Sequence, residues 1–128
     1  MDSSINWAEA TSLRTFIGSK DFSVSRAFYR ALGFKETELG PKLSLFQVND
    51  HFSFHLQDFY VKEWVENSMM FLVVDDLELR LSQVETLNIS ERFPPAKLTP
   101  IQEQDWGKVF YIFGPSGVLW HIAQFKEG

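Results

Sequence analysis

The chain has 128 residues, 45% of them hydrophobic, with a formal net charge of −5. That is enough apolar side chain for one folded core, and the acidic balance, without any Lys/Arg run, gives no basis for a nucleic-acid partner. There is no cysteine, which excludes disulfides, thiolate metal sites and a cysteine nucleophile. No apolar run approaches the roughly 20 residues that cross a bilayer, and MDSSINWAEATS lacks the basic and apolar regions of a secretion signal. A cytoplasmic protein with no membrane partner is expected.

In chain order, residues 13–18 read as a short strand, and Asp21 stands where a helix N-cap belongs. Val24, Ala27, Phe28, Ala31 and Leu32 follow at helical spacing, and Gly33 ends the helix. A further strand fits Phe34–Leu39. Leu43 to Val48 and Phe52 to Leu56 are strands joined by the polar turn Asn49-Asp50. Residues 69–74 form a continuous apolar strand, Asp76 caps a second helix, and Leu77, Leu81, Val84 and Leu87 share one helical face. Glu91 to Gly107 holds Pro94, Pro95 and Pro100 and shows no period, so an irregular loop is expected, either a lid or a surface insertion. Val109–Phe113 and Val118–Phe125 are strands joined by Gly114-Pro115-Ser116-Gly117.

These two halves are one pattern written twice. A shift of 55 positions places Asp21 on Asp76, Tyr29 on Val84, Leu32 on Leu87 and Gly33 on Asn88. Gly and Asn are the residues that most readily take the left-handed conformation closing a helix. The closing hairpins superpose instead at 66, which puts His55 on His121 and Phe54 on Trp120. About eleven extra residues therefore lie in the second copy, between Glu91 and Gly107. A duplicated unit places a site in the groove between its copies.

SRAFYRALGF (Ser25–Phe34) resembles the S-x-x-F-Y-x-x-L-G-F signature of the vicinal oxygen chelate superfamily, which includes glyoxalase I, extradiol dioxygenases and bleomycin-resistance proteins. FGPSGVLWHIAQF (Phe113–Phe125) resembles its terminal D-P-x-G-x-x-x-E turn, with Gly114 in place of the Asp. With the repeat, the resemblance runs from Leu13 to Phe125. It implies an α+β fold: two βαβββ modules, about 13–60 and 68–126, in one domain over 1–128. The modules form an open, cup-like mixed sheet with helices on the outer face. Alternation then puts Val118, Trp120 and Ile122 under a helix and Leu119, His121 and Ala123 in the cup. In the first module Phe52, Phe54 and Leu56 fall on the helix side, with Ser53, His55 and Gln57 in the cup.

Enzymes of the superfamily hold a divalent ion with ligands from the first and last strands of each module. The matching positions here are Arg14, His55, Met69 and His121. His55 and His121 are the candidate ligands for zinc, nickel, iron or manganese. Met69 is a poor donor for hard ions, and Arg14 brings a fixed positive charge. A complete catalytic metal site, and hence a metal cofactor, is not expected, unless Glu103 or Asp105 reaches in from the long loop. No G-x-S-x-G elbow or phosphate-binding glycine pattern appears.

The resemblance implies a small-molecule binder of the glyoxalase/bleomycin-resistance type, its ligand held by Arg14, His55, Gln57, Met69, Trp106 and His121. The alternative is a metal-dependent lyase of the lactoylglutathione lyase type using His55 and His121; a structural or regulatory protein with a vestigial cup stays open. Chains of this length in the superfamily commonly pair, so a homodimer is expected, with Trp7 and Trp64 at an edge or a subunit interface.

Overall fold

Each half of the chain builds its sheet beside a helix opened by an aspartate. In the computed structural model, which describes residues 4–127, the elements are β1 (Phe16–Gly18), α1 (Phe22–Ala31), β2 (Lys35–Gly40), β3 (Leu43–Gln47), β4 (Ser53–Gln57) and α2 (Lys62–Val65). They continue with β5 (Met69–Val73), α3 (Leu77–Glu85), α4 (Ile89–Arg92), β6 (Lys97–Leu98), β7 (Gln102–Gln104), β8 (Gly107–Phe113) and β9 (Leu119–Phe125). The outermost positions of the expected single domain, 1–3 and 128, lie outside the described residues.

Asp21 accepts from the Val24 amide and Asp76 from the Leu79 amide, each at 3.1 Å, so both helices start on the same side-chain cap. Beyond their last turns, Gly33 has φ 96° and Asn88 φ 53°. No heavy atom lies within 4 Å of a Cβ placed on Gly33. Glycine is there for its backbone, not for space.

Two mixed sheets result, one in the order β1-β4-β3-β2, the other β5-β9-β8-β6, with β7 also on β8. β1 runs parallel to β4 and β5 parallel to β9. Phe16 lies in register with His55, and Phe71 with His121. The first members of these pairs are 55 apart and the second 66 apart, so the repeat holds at the level of strand register.

Two sequence expectations change. The first strand is only Phe16–Gly18 rather than 13–18, and Leu13, ahead of it, is 96% exposed. The stretch from Glu91 to Gly107 is not structureless. α4 buries Ile89 against the core, and Phe93, which follows it, meets Phe28 at 5.6 Å. β6 and β7 then pair along β8, satisfying backbone groups at that strand's outer edge.

One core joins the two modules. Tyr29 of α1 packs on Phe46 and Phe54 of its own sheet, Phe28 packs on Tyr29 and on Phe93, and Tyr29, Phe34 and Phe54 meet Trp120 of the other sheet at 5.3 to 5.7 Å. Rings in these tilted and edge-on arrangements add to the burial of large apolar surfaces. The sheets thus turn their helix-side faces toward each other and leave their opposite faces open. On that open side Met69 is 65% exposed, Phe71 51% and Phe16 47%.

Candidate functional site

Strand alternation sorts the candidate residues as the sequence suggests. On β4, Phe54 and Leu56 are buried in the core while Ser53, His55 and Gln57 are half-buried on the opposite face. On β9, Trp120 and Ile122 are buried and Leu119 and His121 half-buried. Ala123 departs from this pattern and is fully buried; its register partners are Val73 and Val109. Phe52, placed on the helix side by alternation, is instead 60% exposed just before β4.

Each histidine has its own aromatic neighbourhood. Phe16 stacks on His55 at 4.6 Å and 17°. The His55 Nδ1 is buried without a hydrogen-bond partner among the described residues. Burial, and then the nearby Arg14 charge, lower the His55 pKa, favouring the neutral ring. His121 donates from Nδ1 to the Met70 carbonyl at 3.0 Å, since a carbonyl only accepts, so in the neutral ring Nε2 carries the lone pair. Around it, Phe71 lies at 5.6 Å and Tyr111 at 5.1 Å, and Trp106 and Phe125 pack on Phe71. The ring contacts of His55 and His121 share no residue.

Between the modules a cleft of about 680 Å³ opens along two edge strands, β1 with its lead-in and β5. Its walls include Leu13, Phe52, Phe54, Phe71, Val73 and Trp120, and Arg14 is the one charged side chain lining it among the described residues. Of the six expected ligand-binding residues, only Arg14 lines this cleft. Trp106 and His121 reach it at one remove, through Phe71. Met69 and Gln57 do not line it. Phe52 and Phe71 are site residues that the sequence reading missed. The 55-residue repeat could have found Phe71, since it places Phe71 on Phe16, each opposite a histidine.

No family model matches the sequence, and no curated protein matches it either. Solved structures do match the fold. The bleomycin resistance determinant encoded on transposon Tn5 aligns with a TM-score of 0.75 and 21% identity, over 91% of this chain and 98% of that one. The bleomycin-binding protein from Streptomyces verticillus, complexed with copper(II)-bleomycin, aligns at 0.75 and 15%, over 90% and 96%. An antibiotic-binding protein from another Streptomyces, TnmS3, aligns at 0.71 and 16%, over 93% and 98%. The chain has the fold of these bleomycin-resistance and antibiotic-binding proteins.

The divalent metal raised by the sequence resemblance does not suit the donors found here. The four corresponding positions offer two imidazoles with separate surroundings, a thioether and a guanidinium. No group of three or more His, Cys, Asp or Glu side chains is placed to hold an ion among the described residues. Glu103 lies on β7 opposite Lys108, lining a small surface cavity with Lys126 and Glu127. Arg14, whose charge acts on His55, would repel a cation at the first-module position. Among the described residues no helix is long and apolar enough to cross a membrane.

Proposed function

We propose that this protein binds a small aromatic or apolar molecule in the cleft between its modules, without a catalytic metal, in the manner of the antibiotic-binding proteins that share its fold. The observation that carries the reading is the cleft itself. Its volume lies within the range of small-molecule pockets, its walls are largely apolar and aromatic, and it presents a single cationic group. Arg14 favours a ligand with an anionic substituent, which its planar fork can grip. The overall charge of −5 would draw cationic drugs toward the surface, whereas the charged side chain lining the cleft is itself cationic.

A homodimer completes this reading. Phe16, Met69, Phe71, Val73 and Phe125 are each 47% to 65% exposed on the open faces of the two sheets, an apolar area that a second copy would cover. Trp7 is 70% exposed, whereas Trp64 is half-buried against Phe59. Such pairing would give the cleft a further wall and bring His55, Gln57, Met69 and His121 toward the ligand.

Calorimetry with 2-naphthoate and with bleomycin, alongside zinc, nickel, iron(II) and manganese, tests the proposal on untagged protein. Binding of one or both organic probes, with 2-naphthoate weakened about tenfold by Arg14→Gln, supports it. Stoichiometric metal binding lost in His55→Ala and His121→Ala would overturn the metal-free reading. Indifference to both organic probes would overturn the ligand class. Sedimentation equilibrium reads the dimer directly.

A further inference from the structure

A second cavity, of about 450 Å³, lies where α3 and the strands under it face the end of α1 and the turn after β3. It shares Val48, Phe52, Leu72, Val73 and Trp120 with the Arg14 cleft but opens on the helix side of the sheets. Its floor is aromatic and aliphatic, formed by Phe34, Phe110, Ile112, Trp120 and Val84. Its polar side chains are few: Asn49, Asp75, Arg80 and Gln83.

These polar groups combine both signs of charge. Arg80 donates to the Gln83 side chain at 2.8 Å, which uses one of the guanidinium's five N–H groups. Neither Arg80 nor Asp75 takes part in an ion pair among the described residues. The helix that carries Arg80 and Gln83 is capped by Asp76, next to Asp75. The bend before α3 and the helix itself therefore bring an anion and a cation, neither of them in an ion pair among the described residues, to the same cavity. Both charges are exposed at the cavity's rim, so a ligand of one charge meets one opposite partner there and a zwitterion meets two.

We infer that this cavity is a second binding site, for a small zwitterion with a flat aromatic side chain, such as an aromatic α-amino acid. The carboxylate pairs with Arg80, the ammonium with Asp75, and the ring lies against Phe34 and Phe52. The site is distinguished from the Arg14 cleft by its charges: the two share an apolar wall but no charged residue.

Three probes with one indole test it: L-tryptophan with both charges, N-acetyl-L-tryptophan with the carboxylate alone, and tryptamine with the ammonium alone. Amide chemical shifts locate each probe and calorimetry ranks them. L-tryptophan is expected to shift the Val74, Val84 and Ile112 amides with a dissociation constant of about 1 mM or below, and each single-charge analogue to bind about tenfold more weakly. Arg80→Gln should weaken L-tryptophan and N-acetyl-L-tryptophan and leave tryptamine unchanged; Asp75→Asn should weaken L-tryptophan and tryptamine instead. Both side chains are exposed, so neither variant removes core packing.

Equal affinity for all three probes, or silence of these amides at about 10 mM L-tryptophan, would overturn the inference. So would shifts confined to Leu13–Thr15 and Ser53, which would leave the Arg14 cleft reading standing. Conversely, tryptophan binding here with no probe bound at Arg14 would defeat the first reading and keep this one.

Discussion

Trp120 donates its indole N–H to the Tyr29 hydroxyl at 3.2 Å, tying the first module's helix to the second module's last strand. Both side chains are essentially buried, and burial holds the Tyr29 phenol well above its ordinary pKa, so it stays neutral as an acceptor. Tyr29→Phe keeps the ring packing but strands a buried N–H. The expected cost is about 1–3 kcal/mol, the penalty for an unsatisfied buried donor. Urea denaturation of Tyr29→Phe, Trp120→Phe and the double variant would show it as strong non-additivity. Additive losses would mean that the bond contributes nothing.

The helix ends give a sharper test of the repeat. Gly33 and Asn88 occupy the same left-handed position one repeat apart. Gly33→Asn and Asn88→Gly should each change stability by well under about 1 kcal/mol. Gly33→Val and Asn88→Val should each cost about 1–2 kcal/mol, since a branched Cβ opposes positive φ. Thermal melts of the four variants check this ordering, and a tolerated valine at either position would contradict it.

That pair also marks what was legible beforehand. Asp21 and Asp76, Gly33 and Asn88, and the placement of His55 and His121 away from the helices all follow from local chemistry and period, which a sequence displays. The Phe71, Trp106, Phe125 and His121 cluster does not follow. It joins β5, the turn before β8 and the end of β9, and no local rule states which strands become neighbours. β6 and β7 were hidden for a related reason. They are two and three residues long and are fixed by the free edge of β8 rather than by their own propensity. The Arg14 cleft needed the relative placement of two edge strands, which the repeat could suggest but not measure.

Glu36 predicts the acid limb of stability. Burial pushes its carboxyl up, but hydrogen bonds from Arg26, Ser44 and Arg30 outweigh that and hold its pKa below the ordinary value. A depressed folded pKa means that the unfolded chain binds the proton more readily. The stabilisation is therefore present above the unfolded value of about 4.3 and is lost as pH falls through the lower folded value. Glu36→Gln should lower stability at neutral pH and flatten its decline in that acidic window. An unchanged acid limb in the variant would assign the dependence to other carboxylates.

Phe71 separates ligand contact from folding. It is 51% exposed, yet it lines the Arg14 cleft and carries ring contacts to Trp106, Phe125 and His121. Phe71→Ala should cost about 1 kcal/mol or less in monomer stability, while weakening an aromatic ligand in the cleft by about tenfold through lost stacking. Trp106→Ala removes a neighbour of Phe71 and no wall of the cleft, so its effect on affinity should be smaller. Equal losses in the two variants would move the ligand out of the cleft and onto the open aromatic face.

His55 reports on Arg14 without any ligand. Burial is the larger cause of its lowered pKa and the Arg14 charge the second, so Arg14→Gln should raise the value part of the way toward about 6.5 and no further. Proton NMR of the His55 ring across a pH series measures this, with His55→Asn fixing the assignment. The sign in stability follows from linkage. Because the folded pKa is depressed, the contribution of His55 is present above its unfolded pKa and is lost as pH falls through the folded one. Arg14→Gln narrows that window, so the variant should lose less stability than the parent between neutral and mildly acidic pH. A His55 pKa that does not move in the variant would place the Arg14 guanidinium out of reach of the imidazole, and with it the claim that a positive charge occupies the position where a metal ligand would stand.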